Sequence, residues 1–228
     1  MSITISIKQG QDVMDIDIPT EWKDINIEYW SRMNTIITSH QKKSELQKNY
    51  YKDKELDLDI IENTLSDIEF KDGIALNKDI FSFITGISKE NIMNVEYSQV
   101  QNVISLIEKL TEEYKPKGLK SFDFEGETYM FPSEMLRQST YGEFIESTQL
   151  DMTIENMKNG MYDVLPEQMA ILCRKDGEKY DEDLVTEKAI KFKKLNMEVA
   201  FEFAFFLTKR SEMLLKISNT YLERKEKV

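Results

Sequence analysis

With one cysteine, one histidine, four prolines and eight glycines in 228 residues, the chain is short of the groups from which most catalytic and ligand sites are assembled. Cys173 alone can form no intramolecular disulfide and supplies no cysteine-based zinc site. That fits a reducing compartment. Nucleophilic catalysis by Cys or Ser usually takes a histidine base, and the single His40 lies in a charge-rich stretch far in sequence from Cys173. Both have simpler readings: Cys173 is a small apolar residue beside Ile171 and Leu172, and His40 a solvated helix end. The glycines stand singly, so there is no Walker or dinucleotide pattern and no cofactor is implied. No stretch approaches the roughly 18 to 20 apolar residues of a membrane span. The start, alternating Ile3, Ile5 and Ile7 with Thr4 and Ser6, lacks the basic opening and continuous apolar run of a signal peptide.

What the chain does have is 40% hydrophobic residues, with 12 Phe and 10 Tyr, enough for a sizeable core. Its 30 basic and 42 acidic residues give a net charge of −12. That balance repels phosphate backbones and anionic headgroups, which sets nucleic acid and membranes aside as partners.

Apolar spacing gives the organisation. Ile3, Ile5 and Ile7, then Met14, Ile16 and Ile18, alternate around Gln9-Gly10-Gln11-Asp12, the pattern of a β-hairpin. Trp22, Ile25, Tyr29, Trp30, Met33, Ile36 and Ile37 recur at helical spacing, so residues 1–40 read as a hairpin and a helix. Residues 41–59 turn to Lys, Glu, Asp, Gln and Asn and read as a charged linker. Residues 60–228 then read as a mainly helical domain, unless the whole chain forms one. Within it, Asp72-Gly73 is expected to turn, Asn77 to cap a short helix and Gly86 to end it. Val100, Val103, Ile104, Ile107 and Leu110 form a clear helical stripe. Phe122 to Phe131 reads as a second hairpin around Glu125-Gly126. Thr140 with Glu143 fits a capping box, and Pro166 the first turn of a helix. After a polar turn at 174–179 come a helix carrying Leu184, Ala189, Phe192 and Leu195 and a last one capped by Asn196. The expected class is α+β, predominantly helical with two hairpins.

Carboxylates are the one abundant functional group. Asp53, Glu55, Asp57 and Asp59, and more so Asp176, Glu178, Asp181 and Asp183, are candidate ligands for a hard cation, though neither set matches an EF-hand. A solvated turn leading into an acidic first helical turn is the commoner explanation of the second set. No catalytic, cofactor or metal residue is therefore assigned. The aromatic candidates for partner binding are Trp22 and Trp30 in the first helical stripe and Phe201 and Phe205 on the last helix, which is apolar around more of its circumference than one core face needs. The plain alternative is a central helix covered on two sides.

Three stretches carry a resemblance: Ile16-Asp17-Ile18-Pro19-Thr20-Glu21-Trp22-Lys23-Asp24-Ile25; the 122–131 hairpin followed by Thr140-Tyr141-Gly142-Glu143-Phe144-Ile145; and Met169 to Tyr180 with Phe201 to Leu207. Their order resembles proteins encoded in the virion and tail-assembly regions of tailed bacteriophages, especially crAss-like phages of Bacteroides. The capping segment departs from the family pattern at Glu143, where the family has Gln. The resemblance implies a non-enzymatic structural component or tail-assembly chaperone. It would bind other phage structural or tail proteins in the host cytoplasm or the virion, with self-association left open. The competing classes are a metal-dependent hydrolase built on the 176–183 carboxylates and an acidic inhibitor that mimics nucleic acid.

Overall fold

The structure, a computed structural model, describes residues 2–9, 11–54, 58–110, 114–132, 141–153 and 161–225. The chain is α+β and predominantly helical, with two small antiparallel sheets. It divides into two compact units, one of Met1–Asp24 and Tyr29–Glu112, the other of Ile25–Glu28 and Glu113–Val228.

In the first unit, strands β1 (Ser2–Gln9) and β2 (Asp12–Pro19) form the expected hairpin. Ile3 stands opposite Ile18, Ile5 opposite Ile16 and Ile7 opposite Met14, so all six side chains share one face. Ile7 and Ile18 are fully buried, while Ile3 and Met14 at the corners stay exposed. A 3-10 turn at Trp22–Asp24 leads into α1 (Ile27–Lys52), followed by α2 (Leu58–Thr85), a 3-10 turn at Asn91–Asn94 and α3 (Tyr97–Leu110). The stripe expected on α3 is there, with Val103, Ile104, Ile107 and Leu110 buried.

Three expectations about helix bounds fail in this unit, for one reason. Residues 41–52, expected in a linker, continue α1, which runs through to Lys52, and α2 begins at Leu58. Nor does Asp72-Gly73 turn or Asn77 cap a short helix, since α2 passes straight through all three. The ion pairs Lys48–Glu69 at 2.6 Å and Lys43–Asp72 at 3.7 Å and the polar contact His40–Asp79 at 3.1 Å step down α1 as they climb α2, so the two helices lie antiparallel. Lys, Glu and Gln are good helix formers, and a helix packed along one stripe can be polar elsewhere and still form. Gly73 costs its helix about 1 kcal/mol relative to alanine, less than side-by-side packing returns. At the far end Gly86, with φ 72°, stops α2, and its amide returns to the Ser82 carbonyl at 2.9 Å.

The second unit holds β3 (Ser121–Phe124), β4 (Glu127–Met130), α4 (Tyr141–Thr153), α5 (Met161–Leu172), β5 (Arg174–Lys175), α6 (Glu182–Phe192) and α7 (Met197–Lys225). Strands β3 and β4 form the second hairpin, turned by Glu125 and Gly126 at φ 52° and 81°, the two positive values that a primed turn needs. The polar turn expected from residue 174 begins instead with β5, which pairs with β4 through Met130–Arg174 and Tyr129–Lys175. Fully buried Phe192 anchors the sheet to α6: Tyr129, Phe122 and Phe124 meet its ring edge-on at 5.1, 5.9 and 6.0 Å. Pro166 lies inside α5 and not in its first turn, so it forgoes the hydrogen bond to the Tyr162 carbonyl. On α6 the core positions are Val185, Ala189 and Phe192; Leu184, expected inward, is exposed. Asn196 caps α7 as expected, its Oδ1 accepting the Val199 amide at 3.0 Å. The capping box expected ahead of α4 rests on Thr140, which lies outside the described residues.

The segment Ile25–Glu28 is paired with residues 193–197. The amides of Ile27 and Glu28 donate to the carbonyls of Leu195 and Lys193 at 2.9 and 3.0 Å, and the Met197 amide donates to the Ile25 carbonyl at 2.7 Å. Ile25, Ile27, Leu195 and Met197 are all buried there. Ile27→Ala is expected to lower stability by about 3 kcal/mol, measured as a shift in the denaturant midpoint of the full chain; an unchanged midpoint would remove the segment from the core. Gly73→Ala is expected to raise stability by about 1 kcal/mol, because a Cβ at Gly73 meets nothing within 4 Å. Loss of stability would instead restore the turn.

Candidate functional site

The four aromatic candidates fall in two places. Trp22 and Trp30 meet edge-on with ring centroids 4.8 Å apart, and Trp30 is only 6% exposed, which leaves a partner little of it to touch. Phe201 and Phe205 on α7 are half-buried against Tyr114, at 5.1 and 6.3 Å. These two rings hold down the chain segment that follows α3.

That segment is fixed by a carboxylate that sequence reading missed. Glu202, buried on α7, accepts the Tyr114 hydroxyl at 2.7 Å and the successive amides of Lys117, Gly118 and Leu119, the last two at 2.9 and 3.1 Å. Three convergent backbone amides make an anion-binding concavity, and here the chain fills it with its own side chain. Burial pushes the Glu202 carboxyl up, but the donors outweigh it and hold the group below the ordinary glutamate range. Burial first, and the neighbouring carboxylate second, push the Tyr114 hydroxyl well up. Both oxygens of Glu202 are engaged by donors, so the arrangement is a latch and not a base poised for substrate.

A second set of charges sits among α4, α5, β5 and α6. Glu143 is 1% exposed and lies 2.8 Å from a guanidinium nitrogen of Arg174. Arg174 also donates to the Ile171 carbonyl at 2.7 Å and lies over the Tyr180 ring, and the Tyr180 hydroxyl donates to Glu146. Burial and then the Glu146 carboxylate push that hydroxyl up. Lys188 donates to the Cys173 carbonyl and to Glu178, each at 2.8 Å, and Glu178 also accepts the Lys175 amide at 2.7 Å. Burial raises the Glu178 carboxyl, but Lys188 and that amide bring it below its ordinary value. The cavity lined by Arg174, Glu178, Tyr180, Leu184 and Lys188 measures about 20 Å³, the room of a single water.

The 176–183 carboxylates do not converge. Glu178 faces Lys188, Asp181 caps α6 by accepting the Asp183 amide at 3.0 Å, and Asp176 and Asp183 are exposed. Among the described residues no three Asp, Glu, His or Cys side chains come together as a metal site. Cys173 is fully buried, and burial pushes its thiol well up, so at neutral pH it is protonated and inert. His40 departs from the solvated helix end expected of it. Its side chain is 14% exposed, with Nε2 3.1 Å from Asp79 Oδ2, while the other Asp79 oxygen takes Lys89 at 2.7 Å. Burial raises the Asp79 carboxyl, and Lys89 and His40 together hold it below its usual range. Only the continuation of α1 beside α2 makes that contact.

No protein-family model matches the chain, and no curated protein or solved structure matches it either.

The depressed Glu202 carboxyl has a signed consequence. A carboxylate whose folded pKa lies below its unfolded value contributes stability above the unfolded value, lost as pH falls through the folded one. Wild type is therefore expected to lose more stability than Glu202→Gln between pH 6 and pH 3, with the variant the weaker of the two at pH 6. Denaturation midpoints across that range measure it, and parallel curves would release Glu202 from the latch.

Proposed function

We propose that this chain acts without chemistry of its own, by binding other proteins, and that it does so as a tailed-phage virion or tail-assembly component in the host cytoplasm or particle. The observation that carries the reading is apolar exposure on the antiparallel helix pair. Leu46 and Tyr50 stand one turn apart on α1, Phe70 and Ile74 one turn apart on α2, and each is more than half exposed. Isolated exposed apolar residues are ordinary; two such pairs on adjoining helices are the form that a helix-groove or helix-bundle contact uses. The way charge is used within the chain agrees with this. Glu143, Glu202, Asp79 and Glu178 each face a cation or backbone amides of the same chain, which leaves them occupied in holding the fold.

Mass spectrometry of purified particles beside infected-cell lysate should find the chain in the particles or in a complex with an identified virion or tail protein. The double variant Phe70→Ser, Ile74→Ser, folded by circular dichroism, is expected to weaken that association by about tenfold or more, the loss of two apolar contacts. Absence from particles and from every complex would overturn the proposal, as would an unweakened double variant.

A further inference from the structure

The hairpin of β1 and β2 has two edges, and they are not equivalent. Gln99 on α3 reaches the outer edge of β1, where its Oε1 accepts the Lys8 amide at 3.2 Å and its Nε2 donates to the Ser6 carbonyl at 3.4 Å. A side-chain amide thus takes the place that a third strand would occupy. In an antiparallel pair the amide and carbonyl of one residue point to the same side, so Ser6 and Lys8 face away from β2. Their cross-strand partners are Asp15 and Val13, and Thr4 stands opposite Asp17. It follows that Val13, Asp15 and Asp17 direct their backbone amides and carbonyls outward from β2. All three residues are exposed, and among the described residues nothing bonds to those groups.

An eight-residue strand with an unpaired edge is a template for one more strand. Its side chains say which. Asp15 and Asp17 lie on the polar face, held upright by hydrogen bonds of 2.5 and 2.6 Å from Ser6 and Thr4 across the hairpin. The opposite face beside the same edge offers Met14 and Ile16, the first exposed and the second half-buried. A second copy of the chain is a poor occupant, because antiparallel pairing of β2 on β2 through residues 13, 15 and 17 sets Asp15 directly against Asp15, and like charges so placed repel.

We propose that the outer edge of β2 takes an extended segment of a partner protein in which Lys or Arg alternates with apolar residues. The basic side chains lie beside Asp15 and Asp17, and the apolar ones beside Met14 and Ile16. This deepens the protein-binding function proposed above and rests on it. The probe is the peptide Lys-Val-Lys-Val-Lys-Val-Lys, added to the purified full chain at up to millimolar concentration, with Glu-Val-Glu-Val-Glu-Val-Glu as its counterpart. Binding of the first and not the second is expected, with new hydrogen-exchange protection at the amides of Val13, Asp15 and Asp17. Asp15→Lys with Asp17→Lys is expected to weaken the lysine peptide by about tenfold and to reverse the preference between the two. Should that variant fail to fold, Asp15→Asn with Asp17→Asn gives the same direction with a smaller change. No binding, or binding without protection at those three amides, or a preference that the substitutions leave unmoved, would overturn the proposal. The peptide test uses the isolated chain and the β2 edge, whereas association with particles is tested through Phe70 and Ile74, so either can fail while the other stands.

Discussion

Between Asn26 and Asn196 the chain closes a bridge across most of its own length. Three backbone hydrogen bonds and the burial of Ile25 and Ile27 hold it shut. Closing so long a loop costs entropy that grows only with the logarithm of its length, while burying an isoleucine side chain is worth about 1.5–3 kcal/mol. The balance favours closure. The same few residues connect the C-terminal end of α6 to the start of α7, and the walls of the aromatic cluster around Phe192 are set by those two elements and the three-stranded sheet. The C-terminal unit therefore depends on a segment that is remote in sequence.

Charge in this protein is used chiefly on itself. The largest expense of burying a carboxylate is desolvation, and it is tolerated only where donors replace the lost water. Glu202 meets that condition with amides and a tyrosine hydroxyl and Glu143 with a guanidinium, and the exposed Glu178 is likewise held by an ammonium and an amide. In each case the carboxylate ties a loop or short strand to a helix. That arrangement explains how a chain of net charge −12 keeps a packed core: the carboxylates that go inside are matched, and the rest stay in water.

Elements with a strong local signal were legible from residue order alone. Alternation placed the first hairpin, the aromatic hairpin had both its strands and its Glu125-Gly126 turn, the stripe from Val103 to Leu110 marked α3, and Asn196 marked the start of α7. Gly86 marked the end of α2 because a left-handed residue is needed there and glycine adopts it without strain. These signals share a cause, since each depends on residues within a turn or two of one another.

What only the tertiary structure decided is the set of contacts whose partners are far apart. Polar composition near residue 50 and the Asp72-Gly73 pair argued for breaks, but two helices lying side by side, joined by Lys48–Glu69 and His40–Asp79, outweigh a weak local preference. Strand β5 is two residues long and has no pattern of its own; it exists because β4 lies beside it. Leu184 reversed its expected exposure for the same reason, as neighbours and not hydrophobicity alone decide which apolar side chain is covered. The sequence by itself determined the class of the fold, its hairpins and the helix ends marked by Gly86 and Asn196, because these follow from backbone conformation and short periodicities. Tertiary structure decided which carboxylates became latches and which strand edge was left open, because each outcome turns on a donor or a side-chain amide brought from another part of the chain.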